Sequence, residues 1–95
     1  MTQLTEQLTD LLRRTGAAHG VYETNELNGV YDEDWPAWYA AWALENGLND
    51  LLGTGLEAEA LASLLVEINN AHRQADTNQS WAQFTAAWLV EKYQS

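Results

Sequence analysis

The second half of this chain repeats the first. Set over one another, LTDLLRRTGAAH (8–19) and LASLLVEINNAH (61–72) match Leu8, Leu11, Leu12, Ala18 and His19 to Leu61, Leu64, Leu65, Ala71 and His72, at an offset of 53 residues. WPAWYAAWALE (35–45) and WAQFTAAWLVE (81–91) match Trp35 to Trp81, Trp38 to Phe84, Ala40 and Ala41 to Ala86 and Ala87, Trp42 to Trp88, and Glu45 to Glu91, at an offset of 46. The seven-residue difference falls between the histidine and the first tryptophan, where the first copy carries the longer connection. Each copy therefore reads helix, loop, aromatic helix. Two copies fall short of the three or more that a solenoid needs. The expected product is a single all-α domain over 1–95, a four-helix bundle-like arrangement of two duplicated αα-hairpins with pseudo-two-fold symmetry. Copy one spans about 3–47 and copy two about 54–93.

Helical periodicity supports each unit. Leu4, Leu8, Leu11 and Leu12, continued by Thr15, His19 and Tyr22, keep i, i+3, i+4, i+7 spacing, and polar residues fill the other face. This predicts a helix from about 3 to 19 or a little beyond, with Gly20 as its stop. Trp35, Trp38, Tyr39 and Trp42 fall at the same spacing behind Asp32, Glu33 and Asp34, whose carboxylates suit a helix start, and Pro36 sits in the first turn. Asn46-Gly47 supplies a left-handed stop, and LNDLL forms a short further turn. Thr54 with Glu57, and Ser80 with Gln83, have the spacing of capping boxes for the last two helices. Leu61, Leu64, Leu65, Ile68 and His72 form one stripe; Trp81, Phe84, Thr85 and Trp88 form the other.

Charge narrows the partners. Arg13, Arg14, Arg73 and Lys92 stand against fourteen acidic residues, for a net charge of −10. A phosphate backbone or an anionic membrane needs a positive stripe, so neither nucleic acid nor membrane is expected as a partner. A basic protein or a cationic ligand is compatible, as is plain solubility through self-repulsion. With no cysteine, disulfides and thiolate chemistry are excluded. No apolar run approaches the ~20 residues of a membrane span. The opening MTQLTEQLTD has neither the basic nor the apolar region of a signal peptide, so a cytoplasmic location is expected.

Five tryptophans and four tyrosines are more than one small core readily encloses. Their common helical phase assigns most of that mass to the core, with the alanine pairs beside them permitting close helix approach. The remainder is available to a second subunit or a flat ligand.

The run LNGVYDEDWPAWYAAWALENGL, preceded by AHGVYE, resembles small uncharacterised bacterial helical proteins that carry a G-V-x-D-x-D-W-x-x-W-Y-A-x-x-L signature. Gly29, Val30, Asp32, Asp34, Trp35, Trp38, Tyr39, Ala40 and Leu44 carry the match, over the middle third of the chain. The resemblance implies a natural helical family and nothing about substrate.

Chemistry has two candidate locations. His19 and His72 occupy equivalent positions, either as ligands or proton carriers brought together by the dyad, or as caps on the last carbonyls of their helices. Neither has an HExxH or ExxH partner, so no metal site and no cofactor is expected. The other location is the extra length in copy one, YETNELNGVYDED, with Tyr22, Glu23, Glu26, Tyr31, Asp32, Glu33 and Asp34. Those carboxylates suit a divalent cation, acid and base work, or mere capping and solvation; Asp32-x-Asp34 lacks the later positions of a calcium loop. There is no G-x-S-x-G elbow around Ser63, Ser80 or Ser95 and no phosphate loop around GTG at 53–55, so catalysis would fall to an unfamiliar set such as His19, Tyr22, Glu23 and Asp34. No catalytic residue is assigned.

Two functions follow. One is an assembly module that meets itself as a homodimer, or another protein, through surplus aromatic surface. The other is a small-molecule binder for an aromatic or cationic ligand. Its pocket would lie between the hairpins, lined by Trp35, Trp38, Trp42, Trp81 and Trp88 and rimmed by His19, His72, Tyr22 and Glu23.

Overall fold

In the computed structural model, which describes residues 3–30 and 32–94, the chain forms five α-helices and, among the described residues, no strand: α1 (Gln3–Glu26), α2 (Trp35–Glu45), α3 (Leu48–Leu52), α4 (Ala58–Gln74) and α5 (Trp81–Gln94). Tyr31 and Ser95 lie outside the described residues. The two most extensive pairings set α1 along α5 and α2 along α4; α1 also meets α2, α4 meets α5, and the short α3 touches α1, α2 and α5. No described helix is long and apolar enough to cross a membrane.

The apolar stripes converge on one core. Leu8, Leu11 and Leu12 of α1 meet Leu61, Leu65 and Ile68 of α4, Leu48 and Leu52 of α3, Ala40 and Ala43 of α2, and Ala86 and Leu89 of α5, all buried. Each large aliphatic side chain buried there contributes about 1.5–3 kcal/mol of transfer free energy. The innermost residues are thus aliphatic. All five tryptophans are half-buried, and Trp35, Trp42, Trp81 and Trp88 pack around that centre, which corrects the expectation that aromatics carry the core itself. Only one alanine of each pair, Ala40 and Ala86, is buried; Ala41 and Ala87 face solvent.

Helix ends differ from expectation at two places. α1 runs straight through Gly20 to Glu26, because Tyr22 and Glu23 find tertiary partners worth more than the ~1 kcal/mol a helical glycine costs. It stops instead at Asn28 and Gly29, both left-handed with φ of 52° and 80°, where the Gly29 N–H donates to the Glu23 carbonyl at 2.8 Å. The Thr54–Glu57 box does not form, and α4 begins after Glu57 without a side-chain cap. Asn49 takes Thr54 instead: its Oδ1 accepts from Thr54 Oγ1 at 2.8 Å and from the Leu56 N–H at 3.0 Å, and its Nδ2 donates to the Leu56 carbonyl. A turn pinned at three points outcompetes a single cap.

Elsewhere the local signals hold. Ser80 and Gln83 form the reciprocal box at 3.2 Å in each direction. Pro36 lies in the first turn of α2, Gly47 takes φ of 105°, and LNDLL is helical.

Candidate functional site

His19, Tyr22 and Glu23 share one face of α1, as positions i, i+3 and i+4 must. Because α1 continues past Gly20, His19 sits inside the helix rather than at its end and does not cap it. Its Nε2 instead donates to Asp32 Oδ2 at 2.9 Å, from a ring only 7% exposed to a carboxylate only 8% exposed. An ionised carboxylate only accepts, which places the proton on Nε2. The ring's other nitrogen, Nδ1, lies 3.7 Å from Glu23 Oε1.

Asp32 is held from three sides. Its N–H donates to Glu23 Oε2 at 3.3 Å, its Oδ1 accepts from the Asp34 N–H at 3.0 Å, and its carbonyl accepts the Trp35 N–H as α2 begins. Asp34 itself precedes α2 without a side-chain cap and is exposed, so the capping work falls to Asp32. The long connection of copy one thus folds back to set a carboxylate on the histidine of α1.

Aromatic rings enclose this pair. The His19 ring meets Trp38 at 5.1 Å and 59°, Tyr39 at 5.0 Å and 57°, and Tyr22 at 6.0 Å; Tyr22 also stacks on Trp38 at 5.3 Å. On the far side of Tyr39, Trp35 and Trp81 complete a group of three rings. Trp35 stands 83° from Tyr39 at 5.5 Å, Trp81 stands 78° from Tyr39 at 5.5 Å, and Trp35 stands 83° from Trp81 at 6.1 Å. Together with His19, Glu23 and Asn69 of α4, these three rings line a cleft of about 440 Å³. Burial, and then the Glu23 carboxylate, push the Tyr39 phenol above its ordinary range.

Comparison with protein-family models, with curated proteins and with solved structures finds no match. The site is therefore read from its own chemistry.

Of the residues that sequence alone nominates, His19, Glu23, Trp35 and Trp81 line the cleft, and Trp38 and Tyr22 back it against the His19 ring. The others lie apart. His72 rests on Phe84 at 5.1 Å and 59°, with its Nε2 beside the Gln79 carbonyl at 2.9 Å, and it does not line the cleft. Trp42 borders neither cleft nor histidine, and its carbonyl accepts from Asn46 Nδ2. Trp88 lies under the ammonium of Lys92 at 5.6 Å. Among the described residues no group of three His, Asp or Glu side chains is placed to hold a metal ion.

Three contributors were not singled out by spacing: Asp32 as the partner of His19, Tyr39 as a wall, and Asn69. The last had a faint signal, as an amide at the position where the first copy carries Gly16. A larger groove of about 510 Å³ runs between α1 and α5. Its walls are Thr5, Thr9, Gln79, Gln83, Ala87 and Val90 with charges of both signs from Arg13, Glu6 and Glu91, and it holds neither aromatic ring nor buried titratable group. The cleft beside His19 is the one with chemistry.

Proposed function

We propose that the protein is a small two-copy helical module that binds a small molecule in the cleft beside His19. The observation that carries this reading is the joining, around one void, of three aromatic walls, a carboxylate and a buried His–Asp pair. Ligand sites are typically concave, mostly apolar, about 300–1,000 Å³ in volume and marked by a few placed polar groups. The cleft lies within that volume range and pairs three aromatic walls with a few placed polar groups.

The duplicated-hairpin architecture belongs to the same proposal, and the packing supports it. α1 lies on α5 as α4 lies on α2. His19 meets Trp38 with the separation and tilt that His72 shows on Phe84. Trp35 and its counterpart Trp81 meet each other, as one position and its image do beside a two-fold axis. Against that symmetry, only His19 receives a carboxylate; His72 receives a loop carbonyl. The extra length in copy one is what converts one of two equivalent histidines into part of a site. Of the signature residues, Asp32, Trp35, Trp38 and Tyr39 are the ones grouped there.

Self-association as a homodimer has thinner support. Among the described residues the large hydrophobic side chains standing exposed are Val21, Val30 and Val66, and none is aromatic. Two measurements separate the readings: tryptophan emission during titration with small organic cations and aromatics, and a native mass spectrum of the protein purified from its host. Binding in the cleft gives a saturable change in emission that Trp35→Leu diminishes and Trp88→Phe leaves intact. A bare, concentration-dependent dimer with no ligand effect on emission would transfer the assignment to assembly.

A further inference from the structure

We infer that the guest of this cleft is a methylated ammonium ion, seated against the faces of Trp35, Tyr39 and Trp81 and countered by Glu23. The inference rests on the cleft being a binding site. Trp35, Tyr39 and Trp81 all line the cleft, in planes that stand 78° to 83° from one another, so a guest there is bordered by rings of more than one orientation. The face of an aromatic ring carries the negative side of its quadrupole and attracts a cation within ~6 Å of the centroid.

Charge selects the sign of the guest. With Asp32 and Glu23 ionised, the His19, Asp32 and Glu23 group is net negative whether or not the imidazole is protonated. Asp32 is committed to His19 and to the Asp34 N–H. Glu23 is not: one oxygen accepts a long 3.3 Å bond from the Asp32 N–H, the other stands 3.7 Å from His19, and its side chain keeps 29% of its accessible surface. Glu23 and the Tyr39 ring line the same cleft, and the carboxylate adds to burial in raising the phenol. An anionic guest meets that charge unfavourably.

Hydration then selects among cations. A metal ion or a bare ammonium gives up strong hydration and needs several oxygen ligands in return. The walls offer one free carboxylate, one amide from Asn69, and otherwise rings. A methylated ammonium spreads its charge over apolar methyl groups, gives up less water, and is matched by ring faces.

The experiment is calorimetric titration of the whole protein with choline, and in parallel with 3,3-dimethylbutan-1-ol, which has the same shape without the charge, and with indole as a neutral flat probe. Choline is expected to bind tighter than its neutral isostere by roughly fivefold to thirtyfold. Glu23→Gln should narrow that difference and Trp81→Leu should narrow it again, each by lowering choline affinity more than that of the isostere. Circular dichroism on both variants confirms that they remain folded. Equal binding of choline and its isostere, or binding of indole alone, overturns the ammonium inference while leaving the cleft a binding site. If none of the three binds, the inference falls and the proposed site falls with it.

Discussion

The hydroxyl of Tyr39 lies against Gly16 of α1, where a Cβ on the glycine would stand 3.3 Å from the phenol oxygen. Aligning 35–45 on 81–91 and 8–19 on 61–72 sets these two positions against Thr85 and Asn69. Tyr39 of α2 and Asn69 of α4 line the same cleft from different helices.

Gly16→Ala should therefore be close to neutral alone and stabilising in a Tyr39→Phe background. Alanine gains up to about 1 kcal/mol of helix propensity over glycine, and the tight contact with the phenol oxygen offsets it. Removing that oxygen releases the gain. Urea unfolding of the four proteins in the cycle measures the coupling. An identical effect of Gly16→Ala in both backgrounds would show that the contact is too soft to matter.

Asp32 is expected to be the most sensitive carboxylate in the chain. Asp32→Ala removes the acceptor of His19 and the acceptor of the Asp34 N–H together, and a hydrogen bond to a charged group is worth roughly 1.5–3 kcal/mol. Asp32→Asn keeps one acceptor oxygen for the Asp34 N–H and turns an amide NH2 toward His19, whose Nε2 accepts it only if the ring proton moves to Nδ1, so it should cost less than the alanine. Hydrogen exchange at residues 27–34 should quicken in the alanine variant, because the tie from this connection to α1 is cut. An Asp32→Ala protein as stable as the wild type would mean that the buried pair contributes nothing net.

The stripe of α1 announced Leu8, Leu11 and Leu12 as core, and that of α4 announced Leu61, Leu65 and Ile68, because helical phase alone decides which side chains share a face. The Ser80–Gln83 box was equally legible, being a bond between residues three apart. What sequence left open was decided by contacts far apart along the chain. The length of α1 depended on what Tyr22 and Glu23 would touch beyond Gly20. The choice between Thr54 and Asn49 depended on how the α3–α4 turn closed. The pairing of His19 with Asp32 spans thirteen positions and a reversal of direction, so the path of residues 27–34 had to be known before that carboxylate could be distinguished from Glu33 or Asp34.

Tyr39 gives the protein a dependence on alkaline pH. Burial, with Glu23 adding to it, raises the phenol above the 10.0 of a free tyrosine, so the folded state holds this proton more tightly than the unfolded chain. The resulting stability is present in full below about pH 10 and is lost as pH rises from there through the folded value. Urea midpoints taken from about pH 9 to about pH 11.5, spanning the tyrosine range, should fall less for Tyr39→Phe than for the wild type. Spectrophotometric titration should show a phenol that ionises late and is absent from that variant. Parallel decline of both proteins would place the alkaline sensitivity elsewhere.

Thr85 is the under-satisfied hydroxyl of the core. Its side chain is fully buried in α5, and its Oγ1 has no hydrogen-bond partner among the described residues. Thr15, equally buried in α1, shows the usual solution: its Oγ1 donates to the Leu11 carbonyl one turn back at 2.8 Å. A buried hydroxyl without a partner costs about 1–3 kcal/mol of desolvation. Thr85→Val replaces it with a methyl of nearly the same size and should stabilise the fold by roughly 1 kcal/mol. Thr15→Val, which discards a made bond and leaves the Leu11 carbonyl with one acceptor contact fewer, should be neutral or destabilising. Thermal or urea unfolding of the two variants reads the contrast directly. If Thr85→Val is the more damaging of the two, the Thr85 hydroxyl has a partner in solution.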